Sequence, residues 1–127
     1  MSRLTLSDTS TWVNYQRANT DKSQKPQVEQ LVSDQLAAMT PLVWVELMQG
    51  IRSKEEEATI TNLRSLCHWL PVDELCWNKV AQIGIRCVRK GVNVPTSDVI
   101  IQGCALRHDV ELLHCDHHFD LIQGILT

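Results

Sequence analysis

Asp8, Glu46, Asp98 and Asp116 are far apart in the chain, yet each occupies a position where a carboxylate needs a partner. Glu46 is the most informative, because Val43, Leu47 and Gly50 share its face of an apolar helical stretch. A carboxylate on such a face must pair with a buried Arg or Lys or coordinate a metal. Asp98 shares a helical face with Ile101 and Ala105, and the roughly 0.3–1 kcal/mol that a first-turn acid gains from the helix dipole does not explain an inward-facing charge. Asp8 also reads as a helix cap and Asp116 as a strand terminator. Together the four suggest one site, because two carboxylates about 4 Å apart repel by about 4 kcal/mol at an effective dielectric near 20. Four require a cation. Hard oxygen ligands suit Mg²⁺ or Mn²⁺ better than zinc, and Mg²⁺ on a carboxylate site keeps waters that are available for chemistry.

Positioning these acids takes a regular alternation of elements. Leu4-Thr5-Leu6-Ser7 alternates as a short strand, and Asp8-Thr9-Ser10 then caps a helix through Trp12, Tyr15 and Gln16. Asn19 to Pro26 reads as a loop, followed by helical spacing at Val28, Leu31, Val32 and Gln35 and a short strand near Leu36 to Met39. Pro41 opens a helix to about Ile51, and a charged helix runs from Ser53 to Leu66 with Glu55, Glu56 and Glu57 at its positive end. Cys67 to Val72 suits another short strand. Asp73 caps a long helix stopped by Gly91, and Pro95-Thr96-Ser97 opens one through about Arg107. Glu111 to Cys115 reads as a buried strand ending at Asp116, before a last short helix holding Phe119 and Ile122. The pattern predicts an α/β fold: a mostly parallel central sheet of about four to five short strands, helices on both faces, and ligands outside the carboxyl ends of the strands.

The chain's 127 residues suit one domain, read here as residues 1–127. Its 43% hydrophobic and 21% charged residues match an ordinary globular protein and contain no membrane-length apolar run. The start MSRLTLSDTSTW lacks a basic end followed by an apolar stretch, so a cytoplasmic protein is expected. Five cysteines without a C-x-x-C pair argue against a disulfide framework. With a net charge of -3, nucleic-acid binding depends on local basic clusters. The candidates are Arg17, Lys22 and Lys25, then Arg52 and Lys54, then Arg86, Arg89 and Lys90.

Four segments in order, Asp8-Thr9-Ser10-Thr11-Trp12, Pro41 to Leu47, Val94 to Ile101 and Leu112 to Phe119, resemble a PIN domain over about Leu4 to Ile122. The size is similar to that of VapC toxins. The resemblance implies a metal-dependent endoribonuclease of a toxin–antitoxin system, using Mg²⁺ or Mn²⁺ and acting on structured RNA such as tRNA to leave 5′-phosphate and 3′-hydroxyl ends. It also implies inhibition by a VapB-type antitoxin and a homodimer. It assigns Asp8, Glu46, Asp98 and Asp116 to the acidic site, with Thr9 or Ser10 as a supporting hydroxyl near Asp8. Many relatives have Thr or Ser two residues before the last Asp and an acid two residues after it. This chain has His114 and His118, so one metal is expected.

Two other readings remain open at this point. His108, His114, Cys115, His117 and His118 are donors that zinc accepts, although their spacing matches no common finger. Alternatively, an inactive PIN scaffold would serve to capture a peptide in a hydrophobic groove.

Overall fold

The computed structural model describes residues 3–127; Met1 and Ser2, the first residues of the expected domain and of the segment read for a signal, lie outside them. Among the described residues, four strands and seven helices follow one another in the expected alternation. They are β1 (Thr5–Ser7), α1 (Thr9–Gln16), α2 (Lys25–Ser33), β2 (Ala37–Met39), α3 (Pro41–Gln49) and α4 (Lys54–Ser65). Then come β3 (His68–Trp69), α5 (Glu74–Arg89), α6 (Thr96–Arg107), β4 (Glu111–Leu113) and α7 (His117–Leu126). The strands pair in parallel in the order β3-β2-β1-β4.

Successive strand residues point to opposite faces, so a strand buried at every position is covered on both sides. β1 and β2 are buried throughout. Leu6, Ala38 and Met39 form the centre of a core that includes Trp12 and Phe119. The chain first builds the sheet outward from β1 to β2 and β3, then crosses back to lay β4 on the other side of β1. That reversal opens a crevice at the carboxyl ends of β1 and β4, where open α/β sheets bind ligands.

Local sequence chemistry sets most of the boundaries. Asp8, Thr40, Ser53 and Asp73 each accept a hydrogen bond from the third following amide, capping α1, α3, α4 and α5. Gly91 ends α5 with φ +69°, a conformation that suits glycine beyond a helix C-terminus. Three expectations are corrected. Helix α2 starts at Lys25, because Pro26 sits in its first turn rather than closing a loop. Strand β4 stops at Leu113 and is an edge strand, half-exposed rather than buried, because only β1 pairs with it. Asp116 therefore does not end the strand; it lies beyond it and caps α7.

Helices α5 and α6 approach closely at Gly103, where a Cβ would stand 2.5 Å from Val80 Cγ2 and 3.2 Å from Val80 N. The nearest atom belongs to a stiff β-branched side chain with its own backbone close behind, so neither can move aside easily. Gly103→Ala is expected to destabilise the fold by about 1–3 kcal/mol, as overpacking does, and a urea titration followed by circular dichroism measures it.

Candidate active site

All four acids line one cleft of about 350 Å³, together with Thr9, Ser10, Val13, Asn14 and Ile101. Asp8 is placed by the sheet: its amide donates to Leu113 O at 3.0 Å, joining the end of β1 to the end of β4. Its carboxylate is buried, with Oδ1 accepting from Thr11 N at 2.9 Å and Oδ2 from Ser10 Oγ at 2.8 Å. Capping and lining the cleft are thus compatible roles for one side chain.

Glu46 projects from α3, whose Val43 and Leu47 are buried in the core. Its hydrogen-bond donor is the Thr9 hydroxyl at 2.6 Å to Oε1, not the Arg or Lys of the structural alternative. The two hydroxyls expected near Asp8 therefore divide their work: Ser10 holds Asp8 and Thr9 holds Glu46.

Asp98 enters from the first turn of α6, above the buried Ile101 and Ala105. Burial pushes its carboxyl up from the usual range, and the negative charges of Asp116, Asp8 and Glu46 push it further, against a smaller opposing pull from His118. Its Oδ2 is buried without a hydrogen-bond donor. Asp116 shifts the other way, held low first by the His118 backbone amide, which donates to its Oδ1 at 2.9 Å. A hard divalent cation fits this donor set: it would satisfy the orphaned Asp98 oxygen and offset the mutual repulsion that raises the Asp98 carboxyl.

The histidines separate. His108 Nε2 lies 2.8 Å from Pro71 O, between α6 and the start of α5. His114 packs on Phe119 with ring centroids 5.0 Å apart, and its Nε2 approaches Asp120 at 3.7 Å. His117 and His118 stack at 4.3 Å beside Asp116. Among the described residues, the three-residue group able to share an ion is Asp116, His117 and His118, not the five-residue His/Cys set. All five cysteines are free, with Cys76, Cys87 and Cys104 buried as small core residues.

None of the eight basic candidates lines the cleft. Arg17 is committed to the fold, its guanidinium bound to Glu56 at 2.9 and 3.0 Å and to Gly50 O at 2.7 Å. Lys22 donates to the Asn14 and Arg17 carbonyls, closing the end of α1. Arg86 donates to Ile125 O at 2.6 Å, and Lys25 stands 4.0 Å from Glu29. Arg52, Lys54, Arg89 and Lys90 remain exposed. Val13 and Asn14 also line the cleft, and their one mark in the sequence is spacing: with Ser10 they stand at i, i+3 and i+4 on one face of α1.

The all-parallel sheet and the acidic crevice at its topological reversal define an α/β protein with a carboxylate-lined site. The PIN domain model matches residues 5–125, and the chain belongs to this family. It is 31% identical to the VapC ribonuclease Mb1587 of Mycobacterium bovis over 124 residues, covering 94% of this chain and 92% of the relative. Ribonuclease VapC11 of Mycobacterium tuberculosis gives the same identity and coverage. In structure, the fold is similar to the DNA-bound VapBC of Salmonella typhimurium, with TM-score 0.81, 20% identity, and 97% of this chain and 95% of that one covered.

Proposed function

We propose that this chain is a metal-dependent endoribonuclease, the toxin of a toxin–antitoxin pair, restrained by a VapB-type antitoxin and acting in the cytoplasm as a homodimer. The observation that carries the reading is Asp98, whose buried Oδ2 has no hydrogen-bond donor and whose carboxylate shares one cleft with three other acids. The 31% identity to VapC ribonucleases over nearly the whole chain supports the substrate class. The VapBC complexes among similar folds support the kind of partner. Structured RNA such as tRNA is the expected substrate, and the fold is expected to be one domain.

Asp8, Glu46, Asp98 and Asp116 are the residues that would hold Mg²⁺ or Mn²⁺. When bound, such an ion lowers the pKa of a water and offsets charge on phosphoryl oxygens. The chain's own residues provide the positioning. Ser10 orients the Asp8 carboxylate, and the Thr11 amide fixes its other oxygen. Thr9 holds Glu46 towards the cleft from the adjacent helix. The apolar Val13 and Ile101 wall one part of the site and reduce solvent access. The exposed Lys54, Arg89 and Lys90 are the basic candidates left to meet phosphate, whereas Arg52 already lies 3.5 Å from the Glu56 carboxylate.

Thr9→Val keeps the shape of the side chain but removes its donor. Losing such an orienting bond typically costs about 10–100-fold in metal affinity or activity, so cleavage is expected to fall by that factor with little change in melting temperature. Parallel kinetics and thermal denaturation check both parts.

The central test maps RNA ends after brief expression of wild type beside Asp98→Asn. New 5′-phosphate ends restricted to wild type, and suppressed by the partner, support the reading. Identical end profiles would remove the nuclease assignment.

A further inference from the structure

Against two of the cleft's acids stands a donor that is not an oxygen. His118, on the first turn of α7, brings Nδ1 to 3.0 Å from Asp116 Oδ1 and 3.3 Å from Asp98 Oδ2. Despite these distances, neither approach has the direction of a hydrogen bond: His118 Nδ1 and Asp98 Oδ2 are both buried and unpaired. A protonated imidazole standing in for a cation would aim its N–H at one of the two oxygens. This one aims at neither.

Each of these two distances is that of neighbours on a coordination sphere, and a turn of the Asp98 side chain would bring it to the ion that Asp116 and His118 are already placed to share. In octahedral geometry with bonds of about 2.1 Å, adjacent ligand atoms stand about 3.0 Å apart. Asp116 Oδ1 and Asp98 Oδ2 both meet this spacing to Nδ1. Their own bonding leaves room for an ion, since Asp116 Oδ1 accepts only the His118 amide and Asp98 Oδ2 accepts nothing. His117 is a weaker candidate, its Nδ1 3.5 Å from Asp116 Oδ1 and its side chain 76% exposed.

We infer that His118 Nδ1 is a direct ligand of the ion held by Asp98 and Asp116, and that this nitrogen makes the site select Mn²⁺ over Mg²⁺. The inference rests on the metal-nuclease reading above and specifies the metal. Mg²⁺ demands oxygen ligands and gives up water reluctantly, whereas imidazole favours first-row transition ions. Mn²⁺ accepts a mixed set of carboxylates and one imidazole. The expected preference comes from the side chain two residues past Asp116, where an acid would give an all-oxygen site.

The test uses the full-length protein with MnCl₂ or MgCl₂ alone, without RNA. Pulsed electron paramagnetic resonance of the Mn²⁺-loaded protein is expected to show coupling to one imidazole ¹⁴N, lost in His118→Gln and kept in His117→Gln. By titration calorimetry, His118→Gln is expected to bind Mn²⁺ at least about tenfold more weakly, with a much smaller change for Mg²⁺, while His118→Asp shifts the preference towards Mg²⁺. Mn²⁺ bound without ¹⁴N coupling, with an affinity lost in Asp98→Asn but unchanged in His118→Gln, overturns the inference and leaves the nuclease reading standing. No Mn²⁺ binding, or binding that survives Asp98→Asn, overturns both. A wild-type spectrum without ¹⁴N coupling overturns the inference even if a variant folds poorly, and the coupling kept in His117→Gln assigns it to His118 even if His118→Gln does not fold.

Discussion

Asp98→Asn is expected to reduce RNA cleavage by about 10²- to 10³-fold, the usual cost of removing one electrostatic element from an active site, while the metal-free protein becomes more stable. These opposite signs follow from one geometry. The side chain is only 13% exposed, and its carboxyl is pushed up by burial and by Asp116, Asp8 and Glu46. Without a cation, ionised Asp98 adds repulsion to a site that already holds three acids. Asn has the same shape, removes the charge, and can donate its amide hydrogens to a neighbouring carboxylate. Relief of about 1–2 kcal/mol is the scale expected when a site is built for function rather than stability, which corresponds to a rise of about 3–8 °C in melting temperature for a chain of this size. Calorimetry in EDTA beside a cleavage assay measures both. A variant that loses activity and also melts lower would mean that Asp98 is a structural group, and its acidic neighbours would need another explanation.

Local patterns made much of the fold legible. Asp8, Ser53 and Asp73 announce three helices through their caps, and Gly91 announces a stop, because each works within a few residues of itself. The boundaries that moved depend on more distant features. Glu111 to Cys115 looks like a buried strand by composition, but its pairing and exposure depend on lying outside β1 at the sheet edge, a fact of topology. Asp116 then caps a helix where strand chemistry was expected.

The site divides the same way. Glu46 is conspicuous in sequence because it interrupts an apolar face, whereas the donor that holds it, Thr9, is 37 residues away on another helix. His118 appears in sequence as a departure from the pattern of similar chains. Its relation to Asp98, twenty residues earlier, emerges only where α6 and α7 converge on the cleft. The basic residues were the least legible. Charge type gives no indication of whether an arginine reaches solvent or a buried acid.

Arg17 is the clearest case, and Arg17→Ala is expected to destabilise the protein by about 3 kcal/mol. Glu56 is nearly buried, its side chain 8% exposed, and Arg17 grips it with both Nε and Nη2 while also satisfying Gly50 O. Truncating Arg17 leaves that carboxylate with the exposed Arg52 side chain at 3.5 Å, the Arg52 amide and a long contact from Gln16. The same pair makes stability depend on pH. The Arg17 hydrogen bonds, opposed by burial and assisted by the charge of Arg17, hold the Glu56 carboxyl at about 2, below its ordinary value of 4.5. A carboxyl depressed on folding binds fewer protons in the native state, so its contribution is fully present above the unfolded value and disappears as pH falls towards 2. Urea titrations at pH 7 and pH 3 should therefore show wild type losing stability at the acid end. Arg17→Ala, with the depression largely removed, should start lower at pH 7 and lose less on acidification. Equal losses in both proteins would mean that other carboxylates set the acid limit. Because none of these contacts reaches the cleft, the folded variant should keep its affinity for Mn²⁺, which separates the structural arginine from the site that it was first grouped with.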